Sequence, residues 1–324
     1  MAARVPRMQV FEIADFPWFP NFLRAYFQAA LTAAWTTHIP FLQRSSPANL
    51  VARLLTGHLG RNEIHDYVFI DFCAGGGGPT PSIERHLNQS IVPQGGERGS
   101  GKQRQKRQQQ QRQTVQFVLT DLHPHVDLWS QAAAQSPNLT YVRESVDASN
   151  APADLTGRYK REGKKVFRLF NLAFHHFDDR LAKGILKDTL DSGGEWVWLT
   201  GGPLGEPKRI FELQDRGVSG FLSCCLFGIG TLIMAPYYAL LWGAPMALFF
   251  TYVVPILPVV LVFDGWMSCL RTRTPDEVEA LLRTCGAEGG EEEIAKWEIK
   301  SGSEVFMWPV GRLNWIICVK REGA

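Results

Sequence analysis

The sequence predicts an α/β fold: a mostly parallel sheet with helices on both faces, interrupted late in the chain by an apolar helical hairpin. Three observations carry this. Five β-branched and aromatic runs alternate with helical segments between Tyr67 and Thr200. The first run ends in Asp71-Phe72-Cys73-Ala74-Gly75-Gly76-Gly77-Gly78-Pro79, a glycine turn leading into a helix. And no Asp, Glu, Lys, Arg or His occurs from Gly217 to Phe263, a longer uncharged stretch than one soluble helix pair usually buries.

Each element follows in order. Residues 1–66 form a helical N-terminal region. Leu23, Phe27, Ala30, Leu31 and Trp35 recur at three-to-four spacing, which marks an apolar-faced helix. Arg4, Arg7, Glu12 and Asp15 leave no apolar core of signal-peptide type. Tyr67-Val68-Phe69-Ile70 reads as a buried strand. Thr80 to Leu87 reads as a helix with Pro81 in its first turn. Residues 89–112 are rich in Gly, Lys, Arg and Gln with almost nothing apolar, so a disordered insertion is expected there. Its positive charge could touch phosphates, but a solvated loop is the simpler reading. Thr114 to Thr120, Leu139 to Val142, Val166 to Asn171 and Glu195 to Thr200 are the next four strands. The core so defined covers residues 67–216. After the uncharged stretch, Thr274-Pro275-Asp276-Glu277-Val278 opens a helix that runs through Leu282. Ala295 to Ile299 and Asn314 to Lys320 complete residues 264–324 as the last two strands.

Strand, glycine turn and helix N-terminus together bring a ligand close to bare backbone. The dinucleotide fingerprint Gly-x-Gly-x-x-Gly fails here, because its third glycine falls on Thr80 or Pro81. A Walker loop fails too, since no Gly-Lys-Ser/Thr follows. Asp71-x-Cys73-x-Gly75-x-Gly77 resembles the first motif of class I S-adenosylmethionine-dependent methyltransferases, acidic-x-Gly-x-Gly-x-Gly, with Cys73 replacing the first glycine. The resemblance implies a Rossmann-like seven-strand methyltransferase sheet and S-adenosyl-L-methionine as cofactor. It places the cofactor against Asp71, Cys73, Ala74, Gly75 and Gly77. It gives the ribose hydroxyls to Asp121, followed by Leu122, and the adenine to Asp147 and Ala148. A carboxylate suits a vicinal diol because each oxygen accepts one O–H. Asn171 closes the cofactor set at the carboxyl end of the fourth strand. Asn171-x-x-Phe174 is similar to the Asn-Pro-Pro-aromatic motif of amino-group methyltransferases, but both prolines are missing. His175 and His176 are similar to the His-His that follows the fourth strand in many small-molecule members. They are the catalytic candidates, able to orient an acceptor or take its proton, or else they pack and cap the next helix. The resemblance also implies that the N-terminal helix lids the acceptor pocket; packing on the core or lying on a membrane surface are the alternatives.

Net charge is +2, which says little about partners. Cys73, Cys224, Cys225, Cys269, Cys285 and Cys318 show no zinc spacing, so no metal is expected, and their placement suits reduced thiols. The stretch 217–263 suits two membrane crossings and a tight turn at Gly243-Ala244-Pro245, with spans near Gly220 to Trp242 and Met246 to Phe263. Tyr237, Tyr238, Trp242 and Trp266 suit interfaces. Because the last strands must rejoin the sheet, an even number of crossings is required. Lys208, Arg209, Arg216, Arg271 and Arg273 mark the flanks as cytosolic. A soluble apolar hairpin buried in a core or dimer interface is the competing reading. The expected activity is therefore methyl transfer to a small, apolar or lipidic acceptor at a membrane, with no nucleic acid involved. A catalytically inactive membrane-anchored scaffold and an RNA methyltransferase remain as alternatives.

Overall fold

The computed structural model describes residues 5–91, 114–192, 195–198 and 215–320. The expected insertion lies outside these residues except at its start, where the first helix of the core overrides it. That helix runs Thr80–Ile91, so residues 89–91 are helical rather than part of a loop. Ile91 supplies the reason: it packs into the main core with Ile83 and Leu87.

Two N-terminal helices, α1 (Asn21–Thr36) and α2 (Pro47–Leu59), precede the sheet. Ser46 caps α2, its hydroxyl accepting from the Asn49 amide at 3.3 Å. Strand β1 (Tyr67–Asp71) is buried along its whole length and feeds α3 (Thr80–Ile91). Then come β2 (Gln116–Leu119), α4 (Val126–Ala133), β3 (Leu139–Tyr141), α5 (Ala153–Arg161), β4 (Lys165–Leu169), α6 (Asp179–Asp191) and β5 (Glu195–Trp198). The sheet order is β3-β2-β1-β4-β5, all parallel. It is extended by an antiparallel hairpin, β6 (Trp297–Met307) and β7 (Gly311–Lys320), with β7 against β5. The fold is thus mixed α/β around a parallel sheet, and β1 lies central, as a fully apolar run requires. Stacked Phe69 and Phe117, 4.8 Å apart, with Phe167 at the same distance from Phe69, fill one face.

The uncharged stretch forms a long helix α7 (Val218–Leu241), a short helix α8 (Pro245–Leu248), a π-turn at Phe249–Val253 and a helix α9 (Ile256–Arg271). The stretch expected as the second span, Met246 to Phe263, is a bent pair of helices rather than one straight helix. The chain bends by 73° between Val253 and Ile256. Pro255 forces this, because it disfavours helical backbone at Val254, which sits at φ −122°, ψ 87°. Pro236, by contrast, lies inside α7 without ending it. Small residues let α7 and α9 approach closely: a Cβ on Gly228 would meet Val262, and one on Gly265 would meet Cys224. The last helices are α10 (Pro275–Arg283) and α11 (Gly290–Ala295). Thr274 opens α10 with a capping box: its hydroxyl accepts from the Glu277 amide, and the Glu277 carboxylate accepts from the Thr274 amide.

Candidate functional site

The glycine turn sits where β1 gives way to α3, at the carboxyl edge of the parallel strands. Gly75, Gly77 and Gly78 take φ of +50°, +106° and +50°, which side-chain-bearing residues resist. A Cβ built on Gly75 meets nothing within 4 Å, so the backbone there faces open space. Both of its polar groups are pinned: the Gly75 amide donates to Asp121 Oδ2 at 2.9 Å, and its carbonyl accepts from Trp129 Nε1 at 2.8 Å.

Asp71 is 1% exposed and points into the turn. Its carboxylate accepts from the Thr80 hydroxyl, from Asn171 Nδ2 at 3.1 Å and from the Cys73 amide at 3.3 Å. Burial pushes its ionisation up to about 6; the Thr80, Asn171 and Cys73 donors work against that rise, and Asp121 adds to it. Asn171 also donates to Thr80 at 2.8 Å, so these three side chains form one lock beneath the turn. Asp71 and Asn171 therefore hold the turn's shape in this structure.

Asp121 accepts from two amides, Gly75 and, at 2.8 Å, His123. Ser145 donates to the Leu122 carbonyl at 2.7 Å, and the Val146 amide donates to the Asp121 carbonyl at 2.9 Å. These bonds stitch the loop after β2 to the loop after β3. Asp121, Leu122, Asp147 and Ala148 consequently lie side by side. Asp147 is exposed and accepts from the Ser149 amide and hydroxyl; Ala148 is buried. Burial, then the carboxylates of Asp121, Asp71 and Asp147, push the Cys73 thiol well up. The three carboxylates thus converge on one turn, and Cys73 between them stays protonated.

His175 and His176 lie in a short 3-10 turn after β4, their rings 4.3 Å apart. They meet residues that sequence spacing could not connect to them. His175 Nε2 is 3.6 Å from Glu12, and His176 Nδ1 is 3.3 Å from Asp15. Arg271 bridges the two acids at 3.1 and 3.2 Å, and Ser268 donates to Glu12 at 2.7 Å. Burial, then the charge of His176, drives the His175 imidazole well down, so it is neutral. For His176 burial also pulls down, but Glu12 and Asp15 outweigh it and the net direction is up. Burial disfavours the Asp15 anion as well, yet His176 and Arg271 hold it at about 2. Glu12, His175 and His176 bring ligand-type atoms within 4.8 Å of one another. Arg271 and Ser268 already serve Glu12 there, so its charge is met without an ion.

Helix α1 completes the surroundings. Gln28 reaches the glycine turn, its Oε1 lying 3.4 Å from where a Gly76 Cβ would stand, and Leu128 flanks it at 3.3 Å. Trp129, Thr80, Gln28, Glu12, Asp15 and Arg271 were not singled out for this site by the sequence. Only Thr80 lies near the glycine motif in the chain; the others, Trp129 included, are placed by tertiary packing.

No family model matches this chain, and no curated protein matches it. Among solved structures, one described as a Zn-dependent alcohol dehydrogenase from Rhodobacter sphaeroides aligns over 91% of this chain and 98% of its own, at 11% identity and a TM-score of 0.35. A likeness at that level says nothing of a shared activity.

Proposed function

We propose that this protein is an S-adenosylmethionine-dependent methyltransferase acting on a small apolar or lipidic acceptor, attached to a membrane by residues 217–263 with its catalytic domain on the cytosolic side. The observation that carries the reading is the open glycine turn: bare backbone at Gly75 faces space a Cβ would fill, with Asp121 and Asp147 beside it. The residues fit the cofactor. Asp121 offers a diol its carboxylate, Asp147 offers the exocyclic amine an acceptor, and the positive-φ glycines admit the methionine end.

When bound, the cofactor supplies an activated methyl group on a sulfonium. The chain's own task is then mainly to align donor and acceptor. The Asp71–Thr80–Asn171 lock fixes the turn, and α1 covers it through Gln28. Of the pair, His176, raised by Glu12 and Asp15, is the one better suited to take a proton, while buried neutral His175 packs against it. Val218–Leu241 is long and apolar enough to cross a membrane, and by length alone the whole stretch suits two crossings. Arg216, Arg271 and Arg273 at its flanks are buried and paired within the α/β domain, so both flanks lie on that domain's side.

Calorimetry of the full chain in detergent tests the cofactor. Binding is expected for the wild type. Gly75→Val should abolish it, and Asp121→Ala should weaken it by about 1–3 kcal/mol. Folded wild type that binds nothing at millimolar cofactor would end the methyltransferase reading.

A further inference from the structure

Length allows the apolar stretch two crossings, but the far end of α7 does not leave the α/β domain. Val218 begins the helix beside that domain, where neighbouring Arg216 pairs with Glu277 at 2.8 Å. Tyr238 lies about 30 Å further along at helical rise. Its hydroxyl nevertheless hydrogen-bonds Thr37 Oγ1 at 2.7 Å. Thr37 ends α1, two residues after Trp35, which is 1% exposed and belongs to the main core around the sheet. Both ends of α7 are therefore tied to elements of the α/β domain. Two crossings would set Tyr238 and Val218 on opposite sides of a bilayer, with that domain on both.

The rest of the stretch agrees. The 73° bend turns α8 and the π-turn back against α1. Phe22 of α1 meets Phe250 at 5.5 Å, and Phe19, Leu23 and Phe27 pack on Leu257, Val260 and Leu261 of α9. What remains uncovered on α7 is one continuous face: Leu222, Leu226, Ile229, Ile233, Tyr237 and Leu240, at steps of three or four residues, are all exposed. Ile233 is 70% and Leu240 85% exposed. The opposite face, with Gly220, Cys224, Gly228 and Ala239, is buried.

We infer that α1, α7, α8 and α9 form a platform lying in one leaflet of a membrane, with α7 parallel to its surface and the tip at Gly243-Ala244-Pro245 on the same side as the catalytic domain. The occupant of the exposed face is lipid. An uncharged stripe running the whole length of the helix suits the acyl region, and Trp18, Trp242 and Trp266, exposed around the same helices, suit its boundary. This rests on the membrane reading proposed above and replaces its two crossings with a single-leaflet attachment.

The test places a spacer carrying both a protease site and a glycosylation acceptor between Gly243 and Ala244 of the full chain, expressed with sealed microsomes. Flotation and cofactor binding serve as controls for attachment and folding. Cleavage by protease added outside intact vesicles, without glycosylation, is the expected result. Glycosylation, or protection until the vesicles are lysed, overturns the single-leaflet arrangement while leaving membrane attachment standing. Wild type that fails to float, and elutes as a soluble oligomer with this face covered by a second copy, overturns both. As a second measurement, Thr37→Cys with Tyr238→Cys should be joined by a short bis-maleimide in the floated protein, above the level of either single variant. No cross-link in the membrane-bound form would show that α7 swings away from the core on insertion and would sink the proposal.

Discussion

Asp71 is a buried carboxyl whose ionisation has been pushed up to about 6. In the unfolded chain the same group ionises near 4. The folded state thus holds a proton that the unfolded state has lost across pH 4–6. Its contribution to stability is fully present below about pH 4 and is lost as pH rises through 6, by about 3 kcal/mol in all. Asp71→Asn should remove that slope, so wild-type stability should fall relative to the variant's, by about 3 kcal/mol, from pH 4 to pH 7 in denaturant titrations. Parallel curves would mean that Asp71 titrates normally. At the histidine pair, His176→Ala should lower turnover more than cofactor affinity, because His176 lies among Glu12, Asp15 and Arg271 rather than at the glycine turn. Equal effects on both, or none, would assign the pair to packing. The motif residues were legible because a glycine turn leaves a contiguous trace in the chain. Their partners were not: nothing in the spacing of Glu12 from His175 predicts a 3.6 Å approach.

At the level of elements, the chain announced its strands more clearly than its helix ends. β1, β3 and β4 were readable within two residues, because β-branched and aromatic runs are bounded by polar turns. Helix α10 was readable from Thr274-Pro275-Asp276-Glu277 alone, and the capping box explains why. Thr274→Ala should cost about 1 kcal/mol through the lost cap, measured as a lower unfolding midpoint. A neutral outcome would mean that Pro275 and the packing of Val278 suffice. The β6–β7 hairpin outran its expected first strand, since Trp297–Met307 continues well past Ile299 through residues of weak strand pattern that pair with β7. The second apolar helix is broken where a proline in the sequence calls for it: Pro255 disfavours helical backbone at Val254, whatever the hydropathy of the stretch.

For the whole molecule, the proposed attachment and the proposed catalysis should be separable by mutation. Ile229 and Ile233 are exposed on α7. Changing both to Asp should lower the floated fraction by more than tenfold, since each apolar side chain withdrawn from lipid forfeits about 1.5–3 kcal/mol. Cofactor affinity should hold, and a matching loss of affinity would show that the double change had damaged the fold. Helix α1 joins the two halves: Gln28 lies over the glycine turn while Phe19, Leu23 and Phe27 seat on α9. Such a joint divides the traffic of the proposed reaction between two phases. The polar cofactor would exchange with water past exposed Asp147, and the acceptor would arrive by lateral diffusion. Turnover would then follow the acceptor's mole fraction in the lipid rather than its bulk concentration. Diluting the surface with inert lipid at constant total acceptor should slow the proposed turnover, as surface-dilution kinetics would record.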